Sequence, residues 1–152
     1  MKKHFFIIGL IHICILTFCV ACDKLPENGK LDGNWQVLEV QYARDGQYDS
    51  IVSVKEDKIF WAVQLKLIEI KGVYNGVCGN TLCRFVYADN HLTITEMYYE
   101  IRGADSLITD TNFDKLVKTG IMGSRAQFQI EALDGNRMQL KSDFARIIFR
   151  KF

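Results

Sequence analysis

The side chains with the most chemistry to offer in this 152-residue chain are its five cysteines and three histidines. Cys78 and Cys83, if fully extended, would lie about 16 Å apart at roughly 3.3 Å per residue. A disulfide needs Cα atoms within about 7 Å, so bonding them requires a turn. Two turns are open. A four-residue Gly79-Asn80-Thr81-Leu82 loop puts Cys78 opposite Cys83, whereas a tighter Gly79-Asn80 turn faces Cys83 with Gly76 and keeps the sulfurs apart. Two cysteines with no histidine pair nearby do not make a zinc site. His4 and His12 fall in the apolar N-terminal run, which leaves His91 in a polar Asp89-Asn90-His91 turn. With one histidine and no Gly-x-Ser-x-Gly, a Ser-His-Asp triad has no support. Asp110, Asn112 and Asp114 match the first alternate ligands of a calcium loop, but Lys115 and Ile121 stand where that loop needs glycine and glutamate. Glu96 and Glu100, the two carboxylates that a glycosidase pair would require, read better as solvated charges protecting an edge. Gly72, Gly76 and Gly79 lack the following Gly-Lys-Ser/Thr of a phosphate loop. These residues predict no enzyme, cofactor or metal site.

The N-terminus carries an address. Lys2 and Lys3 precede an almost wholly apolar run over residues 5–19, too short for a membrane-spanning helix and right for a secretory signal. It ends in Cys19-Val20-Ala21-Cys22, which resembles the lipobox of bacterial lipoproteins, with Cys19 where leucine is usual. The resemblance implies removal of residues 1–21 and lipidation, typically with palmitate among the acyl chains, at Cys22. Such chains anchor firmly, since each buried CH₂ contributes about 0.8 kcal/mol. Residues 22–30 then form the lipidated cysteine and a polar tether holding the only proline, and residues 31–152 form one domain. The predicted location is the bacterial cell envelope, attached to a membrane. An Asp49-Ser50-Ile51 and an Asp105-Ser106-Leu107 tripeptide resemble the O-glycosylation sequon of some Gram-negative bacteria.

Hydrophobic residues make up 49% of the chain and charged residues 24%, a globular profile, and a formal net charge of +1 gives no field to attract nucleic acid. The domain reads as short strands. Residues 33–42 alternate, with Trp35 and Val37 on one face and Leu38, Val40 and Tyr42 on the other. Residues 51–54 form a short β-branched run, and residues 59–71 predict a single strand with Trp61, Val63, Leu65 and Leu67 on one side. Three more strands are predicted over 82–87, 92–95 and 97–101. Two others, over 128–132 and 138–140, flank an Asp134-Gly135-Asn136 turn, and a last one spans 146–152. Phe113, Leu116 and Val117 at helical spacing before Gly120 predict one short helix over 112–119, covering an end of the sheet. Many short strands with tight turns predict an all-β antiparallel barrel of about eight strands, closure being the economical way to remove exposed edges.

At Leu31-Asp32-Gly33-Asn34-Trp35 the chain resembles the lipocalins, whose first strand opens with Gly-x-Trp. The pattern looks like the lipocalin-like domains found in many small bacterial lipoproteins. It implies an arginine from the last strand packed over Trp35 to close the barrel, here Arg146 or Arg150. Trp61, Val63, Leu65, Tyr74, Phe85, Tyr87, Tyr98 and Phe128 are candidates to line a pocket. An eight-stranded barrel either packs its own side chains or holds one small ligand. Two functions follow: burial of a small apolar ligand, or recognition of an envelope protein as an inhibitor or accessory subunit, with the barrel filled.

Overall fold

A computed structural model describes residues 26–72, 80–99 and 104–152. Ten strands form one sheet: β1 (Gly33–Arg44), β2 (Gln47–Ser53), β3 (Phe60–Gln64), β4 (Leu67–Lys71), β5 (Thr81–Ala88), β6 (His91–Tyr99), β7 (Ser106–Leu107), β8 (Ala126–Leu133), β9 (Arg137–Lys141) and β10 (Ala145–Lys151). Their order is β10-β9-β8-β6-β5-β4-β3-β1, and β10 pairs back onto β1, so eight strands close into an antiparallel barrel. The closing seam runs from Trp35↔Lys151 to Tyr42↔Ala145. β2 pairs with the second half of β1 and β3 with the first half. Together they are one broken strand, interrupted by the 3-10 turn Lys55–Asp57. The barrel is therefore a simple up-and-down meander, which needs only short connections.

Period-two alternation fills the interior. Trp61 and Val63 (β3), Ile68 and Ile70 (β4), Cys83 and Phe85 (β5), Phe128 and Ile130 (β8), Met138 and Leu140 (β9), and Ile147 and Phe149 (β10) are all buried. Register shifts interrupt the ladders in four places, and two of them change how the predicted strands read. A bulge between Val37 and Glu39 brings Trp35, Val37 and Val40 onto the same inner face, so the predicted division of β1 into two faces does not hold. On β6, Thr95 is the extra residue opposite the Arg84/Phe85 step, and Ile94 and Met97 both point inward. The two strands predicted over 92–95 and 97–101 are thus one, and Glu96 does not interrupt it.

The single strand predicted over 59–71 is instead a hairpin, β3 and β4, because Gln64 pairs with Leu67 across a two-residue turn. Leu65 occupies that turn at φ +56°, and both Leu65 and Leu67 are exposed. The predicted helix over 112–119 is a chain of turns with one 3-10 turn, Val117–Thr119, capped by Gly120 at φ +82°. Asp110 and Asp114 explain the difference. The Asp110 side chain accepts the Asn112 N–H, and the Asp114 carbonyl accepts the Val117 N–H, which spends these groups on i+2 and i+3 bonds rather than a helical ladder. The segment does cover one barrel end. Ile108, Phe113, Leu116 and Ile121 are buried, Tyr42 Oη donates to Val117 O at 3.1 Å, and Phe113 meets Tyr99 edge-on.

Candidate functional site

The first candidate is the barrel interior. Trp35, Trp61, Phe128 and Phe149 are the largest fully buried side chains. The Trp61 ring meets Phe149 at 5.1 Å and Phe128 at 6.0 Å, both edge-to-face. Of the predicted pocket residues, Trp61, Val63, Phe85 and Phe128 come together here. Leu65 is exposed in the β3–β4 turn, which corrects its assignment to a pocket, whereas Tyr87 pairs with buried Leu92 on the inward face of β5 but is exposed at the barrel rim. Tyr98 also stays outside the core: its hydroxyl donates to Glu96, which pairs with Arg84 at 3.2 Å, and that Glu96 hydrogen bond raises the phenol's pKa. Tyr74 lies outside the described residues, as does Glu100.

Two interior polar atoms have no partner among the described residues: Trp61 Nε1 and Thr81 Oγ1. Trp61 pairs with Ile70 and Ile70 with Thr81, so the two sit in one row, about 10 Å apart at two strand spacings. Beside Ile70, under the covering segment, Ile59 and Leu116 line a space of about 10 Å³, roughly room for one water.

The barrel's closing cation is Lys151 rather than either predicted arginine. Its Nζ lies 4.9 Å from the Trp35 ring centroid and 3.3 Å from Lys30 O, to which it donates, while Trp35 Nε1 donates to Leu31 O at 2.7 Å. A Cβ on Gly33, which has φ +131°, would sit 2.6 Å from Lys151 Cε. The glycine of Gly-x-Trp therefore leaves the path that the cation takes over the ring. Ile147 and Phe149 point inward, and the same parity sends Lys151 inward and Arg146 and Arg150 outward. Arg150 donates to Gln36 Oε1 at 2.9 Å. Arg146 donates to both carboxylate oxygens of Glu131, at 2.8 and 3.1 Å, and lies over the Tyr48 ring of β2. That pairing holds the Glu131 carboxyl below the usual range.

Cys83 is buried in β5, facing Ile68 and Met97 across the ladder, and has no disulfide partner among the described residues. Burial pushes its thiol up to about 12. Thr81 and Leu82 are strand residues paired with Ile70 and Glu69 rather than members of a four-residue loop; Cys78 and Gly79, and with them the tighter Gly79-Asn80 turn, lie outside the described residues. The leader, Cys22 and the first part of the tether also lie outside them. The described part of the tether is held rather than loose: Asn28 Nδ2 donates to Asp32 Oδ1 and to Leu65 O, each at 2.6 Å. His91 opens β6 with Nδ1 2.7 Å from Asp89 O, so Nδ1 carries the proton. Ser50 and Ser106 are exposed on β2 and β7. Among the described residues no cluster of three metal-ligating side chains occurs, and no helix is long and apolar enough to cross a membrane.

The second candidate is the outer surface near the covering segment. Two open grooves of about 470 and 530 Å³ share Met122, the first also lined by His91, Lys141 and Phe144, the second by Leu107 and Arg125. No sequence pattern singled out Met122, because one exposed methionine in a loop carries no periodic signal.

A closed up-and-down barrel of eight antiparallel strands, its first strand opening Gly-x-Trp under a cation from its last, defines a lipocalin-type fold. The chain belongs to the lipocalin-like domain family, which it matches over residues 15–152. Among solved structures it is similar to a lipocalin-like protein from Bacteroides uniformis ATCC 8492, at 23% identity and a TM-score of 0.58, covering 82% of this chain and 100% of that one. It is also similar to an uncharacterized protein from Bacteroides eggerthii DSM 20697, at 20% identity and a TM-score of 0.49, covering 80% and 98%. Comparison with curated proteins finds no match.

Proposed function

We propose that this protein is a lipid-anchored lipoprotein of the bacterial cell envelope, non-enzymatic, whose filled barrel is a scaffold and whose outer surface recognises an envelope protein. The observation that carries this reading is the interior itself, where four fully buried aromatic rings occupy the barrel and Trp61 packs edge-on against two of them. The grooves around Met122 offer the larger recesses, and Met122 is an adaptable contact residue. The leader and the Ala21-Cys22 pattern support the anchor. A photo-reactive residue at position 122 in intact cells is the test. One discrete protein adduct, lost when Leu107→Glu reshapes the groove, is expected; the absence of any protein adduct would contradict the reading.

A small-molecule ligand is the second reading, favoured by the unpartnered Trp61 Nε1 and Thr81 Oγ1. Such a ligand carries a hydrogen-bond acceptor on its apolar body, since an indole N–H can only donate.

A further inference from the structure

The up-and-down topology sorts the loops into two ends. The start of β1, the turn at Leu65-Lys66, the turn at Asp89-Asn90, the turn after β8 and the end of β10 all share one end. Nine large hydrophobic residues are exposed among the described residues, and five of them belong to that end: Leu65, Leu67, Val86, Tyr87 and Phe152. Leu65 is 55% exposed, Val86 55% and Phe152, which meets Phe60 edge-on, 74%, so most of each of these side chains faces outward from the barrel. The chain also enters the barrel here. Asn28 bonds directly to the Leu65 carbonyl, and Cys22 stands only four residues before Pro26, a span of at most about 14 Å at roughly 3.5 Å per residue.

From this juxtaposition we infer that the end carrying Leu65, Leu67, Val86, Tyr87 and Phe152 is a membrane-docking surface that rests in the lipid interface beside the anchored Cys22. The inference rests on the lipid-anchor reading, because the short reach from Cys22 is what presses this end and no other against the bilayer. The ionic groups here are mixed in sign: Lys30, Lys66 and Arg137 stand beside Glu27, Asp89 and Asp134. The docking is therefore apolar and insensitive to salt, with leucine, valine and aromatic side chains entering the headgroup and acyl boundary. It directs the opposite end, with β2 and Met122, away from the membrane.

The test uses the full lipidated chain reconstituted in phosphatidylcholine vesicles, with a photo-reactive residue at position 65 or 87 on the docking end, or at 52 or 122 on the other. Lipid adducts at 65 and 87 are expected to exceed those at 52 and 122 at least fivefold, equally at low and high salt. A Leu67→Ser, Val86→Ser variant, altered only at exposed positions, is expected to reduce the adduct at 65 several-fold. Equal adducts at both ends, or none at either on a lipidated chain, would overturn the docking while leaving the anchor intact. A mass spectrum of the native protein without acyl chains on Cys22 would overturn the anchor, and the docking with it.

Discussion

Gly33 and Lys151 form a coupled pair. Gly33→Ala introduces a Cβ at a φ that L side chains avoid and pushes Lys151 off the Trp35 face, so it is expected to cost about 1–3 kcal/mol. Lys151→Met, which keeps the stem and removes the charge, is expected to cost about 1 kcal/mol. Denaturant unfolding of both singles and the double variant should show non-additivity of at least roughly 0.5 kcal/mol; strict additivity would mean that the cation does not depend on the glycine. Trp35 was legible because Gly-x-Trp is a local pattern. Lys151 was not, although its signal was present: Ile147, Phe149 and Lys151 share one parity, and Arg146 and Arg150 share the other. Thr81 was harder, since a threonine in a strand is ordinary and its lack of a partner exists only in three dimensions. Thr81→Val removes an unsatisfied buried hydroxyl and is expected to raise stability by about 1–2 kcal/mol. A loss instead would reveal an occupant bonded to Oγ1.

Elements were legible where a turn was read, but the Asp45-Gly46 turn was not, so β2, which spans Gln47–Ser53, was predicted only over 51–54. Asp89-Asn90 and Asp134-Gly135-Asn136 stand between β5 and β6 and between β8 and β9, with both Asp89 and Asn90 at positive φ. The β3–β4 turn was hidden, because Leu65-Lys66 contains no turn former and apolar residues at 61, 63, 65 and 67 continue the alternation straight through it. That choice carries strain: Leu65→Gly should raise the thermal midpoint by a few degrees, about 1 kcal/mol, with a fall contradicting the assigned turn. Bulges were equally invisible, since an inserted residue changes parity without changing composition. At β2, whose side chains are nearly all exposed, attachment depends on β1 and on Tyr48, whose hydroxyl donates to Ser142 O at 2.6 Å and whose ring lies against Arg146. Arg146→Ala removes that ring contact and its two bonds to Glu131, so amide exchange over residues 47–53 should quicken by roughly three- to tenfold while β8 and β9 stay protected. Unchanged exchange would show that pairing with β1, with the Tyr48 bond to Ser142 and Lys141 over its ring, holds β2 without Arg146.

The whole barrel was predictable from strand count, turn density and the need to remove edges, because these are properties of the chain as a whole. How the interior is occupied was not, because aromatic residues that fill a core and aromatic residues that line a cavity follow the same alternation. Cys83 reports on that interior through pH. Its folded pKa is raised, so its contribution is fully present below the ordinary thiol value of 9.0 and is lost as pH rises toward about 12. Relative to Cys83→Ala, the wild-type chain should lose about 1.4 kcal/mol per pH unit over that window. A flat difference would mean that Cys83 carries no buried titratable thiol, as a bond to Cys78 would produce. The most direct test of the filled barrel is the mass of the envelope-purified protein measured under native and then denaturing conditions. The expected result is one lipidated chain of identical mass in both, whereas a small molecule released only on denaturation would contradict the filled interior and establish a carried ligand.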